Sequence, residues 1–213
     1  MNKYVLKEGH SEIIINKSRF IGLIKNVESE EEALSLIAAV KKEYWDARHN
    51  CYAYIISGEQ EIKRFSDDGE PQGTAGKPIL DVLERQNIKN AVIIVTRYFG
   101  GVLLGTGGLV RAYGSCSIEA VNNADVCEEK EGTIITIEAD YTASGKIQYA
   151  LRQVGGVEIG TEYADKVKMI MCVEKEFEKK FLETLTEITK GNIKDSQMEK
   201  VKFTINNGEF IRL

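Results

Sequence analysis

Both prolines, Pro71 and Pro78, and more than half of the 19 glycines fall between residues 58 and 114. Proline fixes φ and glycine frees it, so this stretch must hold shaped loops between its regular elements. Inside it, residues 91–96 read AVIIVT. A continuous apolar run of that length predicts a strand buried on both faces. Residues 97–108 predict a glycine-rich loop. Residues 109–124 then predict a helix with Leu109, Tyr113, Cys116, Ala120 and Ala124 along one face.

The flanks carry ordinary periodicity. Residues 12–15 and 19–27 predict two strands joined by the polar turn 16–18. Ser29 followed by Glu32 is a capping box, opening a helix with Ala33, Leu36, Ile37, Val40 and Tyr44 at helical spacing. Residues 51–56 and 61–65 predict two strands around a turn at 57–60. Pro78 suits the first turn of a short helix reaching residue 86. The charged segment 128–132 predicts a boundary, giving domains at 1–130 and 131–213. Beyond it, strands at 133–139, 157–163, 166–173 and 201–205 alternate with helices at 145–154 and 177–189. A further strand at 210–213 extends the last one. The order is βαββαβ, the ferredoxin-like arrangement.

Composition narrows the function. The 213 residues are 43% hydrophobic and 29% charged, which suits a soluble globular chain that needs no disulfide or metal staple. No apolar run approaches the roughly 20 residues of a membrane span. No apolar signal region precedes Lys7 and Glu8, so the cytoplasm is the expected compartment. The four cysteines, Cys51, Cys116, Cys127 and Cys172, form no C-x-x-C pair and read as buried apolar residues. Only two histidines, His10 and His49, are present, so a histidine-rich metal centre is excluded. A net charge of −5 argues against coating nucleic acid by bulk charge but leaves room for a local basic surface.

Three segments carry chemistry: residues 47–54 (ARHNCYAY), 64–78 (RFSDDGEPQGTAGKP) and 96–114 (TRYFGGVLLGTGGLVRAYG). In the third, Gly105, Thr106, Gly107 and Gly108 open a helix, where free backbone N–H groups and the helix dipole favour an anion. Gly107 or Gly108 is expected to need positive φ or a close backbone approach. Arg97 and Arg111 would stand beside that anion, or would pair with Asp67, Asp68 or Glu70. The acidic knot of Asp67, Asp68 and Glu70 reads either as a magnesium or acid–base site, or as a paired, Asp-rich turn around Gly69. His49 reads as a hydrogen-bonded structural residue or a general base. The run Gly73-Thr74-Ala75-Gly76-Lys77 is not a P-loop: Pro71 stands where the first glycine belongs, and Pro78 follows the lysine.

These segments resemble the signature of the YigZ/IMPACT family, in order and over most of residues 17–120. The remainder is similar to the smaller C-terminal domain of bacterial members, itself like domain five of elongation factor G. The resemblance implies an α+β chain: a unit similar to the second domain of ribosomal protein S-five, then a ferredoxin-like unit. It also implies a theme of translation control, since eukaryotic relatives restrain a starvation-responsive kinase that acts on an initiation factor.

Three readings follow. The first is a regulatory protein that binds RNA, the ribosome or a translation factor through Arg48, Lys77, Arg97, Arg111 and the Gly105–Gly108 turn. Tyr98 or Phe99 would serve for stacking or belong to the core. This reading needs no cofactor, resident metal or catalytic residue. The second is a magnesium-dependent enzyme on a small phosphorylated ligand, using Asp67, Asp68 or Glu70. A pure protein-interaction module, docking through the C-terminal sheet, is a third.

Overall fold

The structure is a computed structural model that describes residues 1–58, 60–191, 197–206 and 208–213. Residue 59, within the expected turn 57–60, lies outside the described residues. The chain divides into two compact units, Met1–Glu128 and Glu129–Leu213.

The first unit runs β1 (Lys3–Lys7), β2 (Gly9–Ile15), β3 (Ser18–Asn26), α1 (Glu30–Glu43), β4 (His49–Ile56), β5 (Ile62–Ser66), α2 (Gly76–Arg85), β6 (Ala91–Tyr98), α3 (Gly105–Asn122) and β7 (Asp125–Glu128). Its main sheet has the order β2-β3-β6-β4-β5, with every neighbour antiparallel. The apolar run of β6 lies at its centre. Ala91, Ile93 and Val95 face the core that α2 and α3 complete, while Val92 and Ile94 face the core closed by α1. Side chains alternate along a strand, so covering both faces requires every residue to be apolar. Strand β4 divides the same way, with Cys51, Ala53 and Ile55 on one side and Tyr54 and Ile56 on the other.

The capping box at α1 forms: the Glu32 amide donates to Ser29 Oγ at 3.1 Å. Its return bond differs from the simple pattern, since Glu32 Oε2 accepts from the Glu28 amide at 2.8 Å. The glycine-rich loop is shorter than its composition suggests. Strand β6 continues through Tyr98, and α3 begins at Gly105, so the loop proper is 99–104. Strands β1 and β7 pair with each other in a separate two-stranded sheet. Both escape the hydrophobic pattern, because Val5 alone is buried in KYVLK.

The second unit runs β8 (Lys130–Ala139), α4 (Tyr141–Gln153), β9 (Val157–Tyr163), β10 (Val167–Glu174), α5 (Glu178–Ile188), β11 (Gln197–Asn206) and β12 (Glu209–Arg212). Its antiparallel sheet has the order β12-β11-β8-β10-β9. The four strands of the βαββαβ unit thus stand in ferredoxin-like order, with β12 added at one edge. Helices α4 and α5 cover one face through Ile147, Leu151, Phe181 and Leu185. On the other face Cys172, Val201 and Phe203 gather, and Phe210 of β12 stacks on Phe203 at 5.5 Å between ring centroids.

Candidate functional site

One end of the N-terminal sheet brings together parts of all three signature segments. Register explains this. His49 at the start of β4 lies opposite Arg97 near the end of β6, and Arg19 at the start of β3 lies opposite Tyr98. Tyr52 pairs with Ser66, the last residue of β5. Loops 67–75 and 99–104 therefore leave the sheet at the same end, each running into a helix N-terminus.

Each carboxylate of the acidic knot has protein partners. Asp67 Oδ1 accepts from the amides of Ala75 (3.0 Å) and Gly76 (2.8 Å), and its Oδ2 accepts from the Gly73 amide at 2.8 Å. Asp67 thus caps α2 from eight residues upstream, where no side chain at the N-cap position does so. Asp68 accepts from Lys41 Nζ at 2.6 Å and from the Asn50 amide at 2.7 Å. Glu70 Oε1 accepts from Arg97 Nη1 at 2.6 Å and from the Tyr113 hydroxyl at 2.8 Å. The backbone follows these bonds: Asp68 and Gly69 take positive φ of 43° and 87°. Among the described residues no group of three His, Cys, Asp or Glu is placed to hold a metal ion.

The basic residues separate into two kinds. Arg97 is a correction to the surface expected of it, being only 5% exposed and paired with Glu70. Its guanidinium also lies over the Phe20 and Phe99 rings, at 5.4 and 5.6 Å from their centroids. Lys77 is exposed but engaged with Asp81 at 2.7 Å and Glu84 at 3.5 Å. Arg48 and Arg111 are exposed and have no ion pair among the described residues.

The α3 N-terminus differs from the expected nest. Positive φ falls at Gly105 (+68°), whereas Gly107 and Gly108 carry none. Gly107 has open space above it, and a Cβ on Gly108 would meet Leu104 Cβ at 3.1 Å. The close backbone approach lies earlier, at Gly100, where a Cβ would come within 2.0 Å of the Lys17 carbonyl carbon. Gly105, Thr106 and Gly107 are exposed, and no acidic side chain stands in that first turn.

The remaining polar groups are structural in their bonding. His49 Nδ1 donates to the Asp68 carbonyl at 2.8 Å, and its Nε2 lies 4.0 Å from Glu70 Oε1. The Cys51 thiol donates to the Asp67 carbonyl at 2.9 Å, and burial raises its pKa far above the ordinary thiol range. Burial likewise raises the Tyr113 hydroxyl. The thiol and the phenol serve here as hydrogen-bond donors to the Asp67 carbonyl and to Glu70. Tyr98 donates to Asp46 at 2.7 Å. Sequence reasoning passed over the apolar part of this surface: Leu103 is 85% exposed and Val102 44%, on a loop framed by glycines. Their signal is the apolar run Val102-Leu103-Leu104 between Gly101 and Gly105, inside the stretch that composition marks only as a glycine-rich loop.

Residues 16–121 match the model of the Impact N-terminal domain, and residues 137–192 match that of a domain of unknown function, DUF1949. IMPACT family member YvyE of Bacillus subtilis is 41% identical over 207 residues, covering 96% of this chain and 95% of that one. The chain belongs to the IMPACT family. IMPACT family member YigZ of Escherichia coli is 34% identical over 181 residues, covering 84% of this chain and 89% of its own. Protein IMPACT of Mus musculus matches 94 residues at 34% identity, 42% of this chain and 29% of the mouse protein. A solved structure titled as a hypothetical protein superposes with a TM-score of 0.57 at 30% identity, covering 97% and 99% of the two chains. The buried Glu70–Arg97–Tyr113 cluster and the Asp67 cap both lie inside the segment that matches the Impact N-terminal domain. No helix among the described residues is long and apolar enough to cross a membrane.

Proposed function

We propose that this IMPACT family protein is a binding protein of translation control, and that it engages a protein surface of the ribosome or of a translation factor. The observation that carries this reading is the contrast at the loop end of the sheet. The acidic residues there are bonded to the protein itself, while loop 99–104 presents Leu103 at 85% exposure close to the exposed start of α3. Carboxylates held by backbone amides, Lys41 and Arg97 stabilise the loops. Exposed apolar side chains lower the free energy by leaving water against a partner. With Arg97 buried and Lys77 paired, Arg48 and Arg111 are the remaining cations of the expected patch. That is few for a surface bound to bare RNA, and it favours a protein partner with apolar contacts and a charged rim.

Sucrose-gradient sedimentation of lysate containing the tagged chain tests this, with and without ribonuclease and at low and high salt. Co-sedimentation with ribosomal particles or a translation factor is expected, and Leu103→Asp should abolish it. Arg111→Ala should weaken it mainly at low salt. If Leu103→Asp and Arg111→Ala sediment like the parent protein, this surface is not the one used. Loss on ribonuclease treatment, with a log K against log salt slope near −1.4 for two phosphates, would instead identify RNA as the ligand.

A further inference from the structure

We propose that the seam between α4 and α5 is a docking groove for an acidic amphipathic helix of a partner protein. This inference is independent of the N-terminal surface. The groove has a volume of about 440 Å³. Lys146, Tyr149 and Ala150 line it from α4, and Lys180, Thr184 and Ile188 from α5. Both helices turn their large apolar residues inward, Ile147 and Leu151 on α4 and Phe181 and Leu185 on α5. What remains along the seam is a floor of small or partly covered apolar groups. Gly145 has open space where a side chain would stand. A backbone can approach such a floor closely, as in helix packing.

Charge selects the occupant. No carboxylate lines the groove. Lys130, Lys168, Lys175, Lys200 and Lys202 of the same unit each pair with a glutamate. Of the lysines of this unit without an ion pair among the described residues, Lys146 and Lys180 are the two that line the groove. Helix α4 follows β8, and α5 follows β10, which is antiparallel to β8. The two helices therefore run in opposite directions, and the two lysines stand at opposite ends of the groove, one on each wall. Along α4 the groove runs from residue 145 to 154, about 14 Å at roughly 1.5 Å per residue. That length accepts about two and a half turns of a helix, with apolar anchors at i, i+3 or i+4 and i+7 and a carboxylate near each end. Tyr149, 66% exposed, supplies an amphipathic wall for such a segment. Single-stranded RNA would use the lysines but would leave the apolar floor unfilled, and Tyr149 alone makes a short stacking platform.

Fluorescence anisotropy with the full chain tests the groove. The probes are a labelled amphipathic helical peptide with leucine anchors and glutamate ends, the same peptide with lysine ends, and labelled oligouridylate. The acidic peptide is expected to bind at least about tenfold tighter than the basic one. Joint Lys146→Glu and Lys180→Glu substitution should weaken it by about tenfold or more. Reversing Lys7 and Lys42, exposed lysines of the other unit, should leave it unchanged. Tyr149→Ala should weaken peptides of either charge. Melting curves check that the variants fold, and Lys146→Gln with Lys180→Gln replaces the reversal if they do not. Equal binding of both peptides, indifference to the reversal, or RNA binding without peptide binding would overturn the proposal. So would self-association that the reversal abolishes, since the occupant would then be a second copy of the chain.

Discussion

Glu70 keeps a charge almost wholly out of water because Arg97 and Tyr113 both donate to the same oxygen. The side chains of the ion pair are only 4% and 7% exposed. Removing one partner strands the other, at a cost of about 3–5 kcal/mol. Glu70→Ala and Arg97→Ala should each lose about that much in urea unfolding, and the double variant less than the sum. A loss of under about 1 kcal/mol for either would mean that water relieves the stranded charge. Arg111→Ala, on an exposed side chain, should stay within about 0.5 kcal/mol, which makes it the clean probe of binding that Arg97 is not. The buried thiols set a second expectation. Burial pushes Cys116 up to about 11 and Cys172 up to about 12, whereas an ordinary thiol titrates near 9. Above that ordinary value the unfolded chain releases protons that the folded chain retains, so unfolding gains as pH rises. Stability should be full below about pH 9 and fall toward pH 11, and Cys116→Ala should flatten that fall. An unfolding midpoint that holds steady from pH 8 to 10.5 would contradict this.

At the scale of elements, α2 depends on a residue outside it. Asp67→Ala removes the acceptor for the Ala75 and Gly76 amides and should cost about 1–2 kcal/mol. Amide exchange at Gly73, Ala75 and Gly76 should quicken, and unchanged protection there would show that another group caps the helix. This bond also marks what the sequence left unreadable. The central strand, the helical face of α1 with its capping box, and the βαββαβ order are all written in local periodicity, which one chain displays directly. The pairing of β1 with β7 is not, because Lys3 and Glu128 meet across the whole unit and neither strand carries an apolar pattern. The acidic knot was legible as a shaped, Asp-rich turn with Arg97 or Arg111 as an open pairing candidate, but Lys41 and Tyr113 were not legible as its partners. Lys41, Arg97 and Tyr113 come from three different elements, and only tertiary structure brings them to the loop. Arg97 stands in the sequence as either an anion ligand or a partner of the knot; its register at the end of β6, which its neighbours in sequence do not reveal, decides for the second.

At the scale of the molecule, the described cores do not mix residues between the two units. Phe181 is fully buried in the C-terminal core, and Phe181→Ala should cost about 3–5 kcal/mol there. Hydrogen exchange should report the loss in β8 and β10 while β4 and β6 keep their protection; equal losses in both would show that the units unfold together. The signature loop has a further consequence, for the order of events in folding. Its Glu70 is held by Arg97 and Tyr113, which lie 27 and 43 residues further along the chain. These two bonds can form only after β6 and α3 have been brought to the loop, so they belong to the late, native side of the barrier. Glu70→Ala should then speed unfolding while leaving the refolding rate nearly unchanged. The segment by which the family is recognised thus acts as a latch on an assembled sheet, lengthening the life of the folded state more than it hastens its formation.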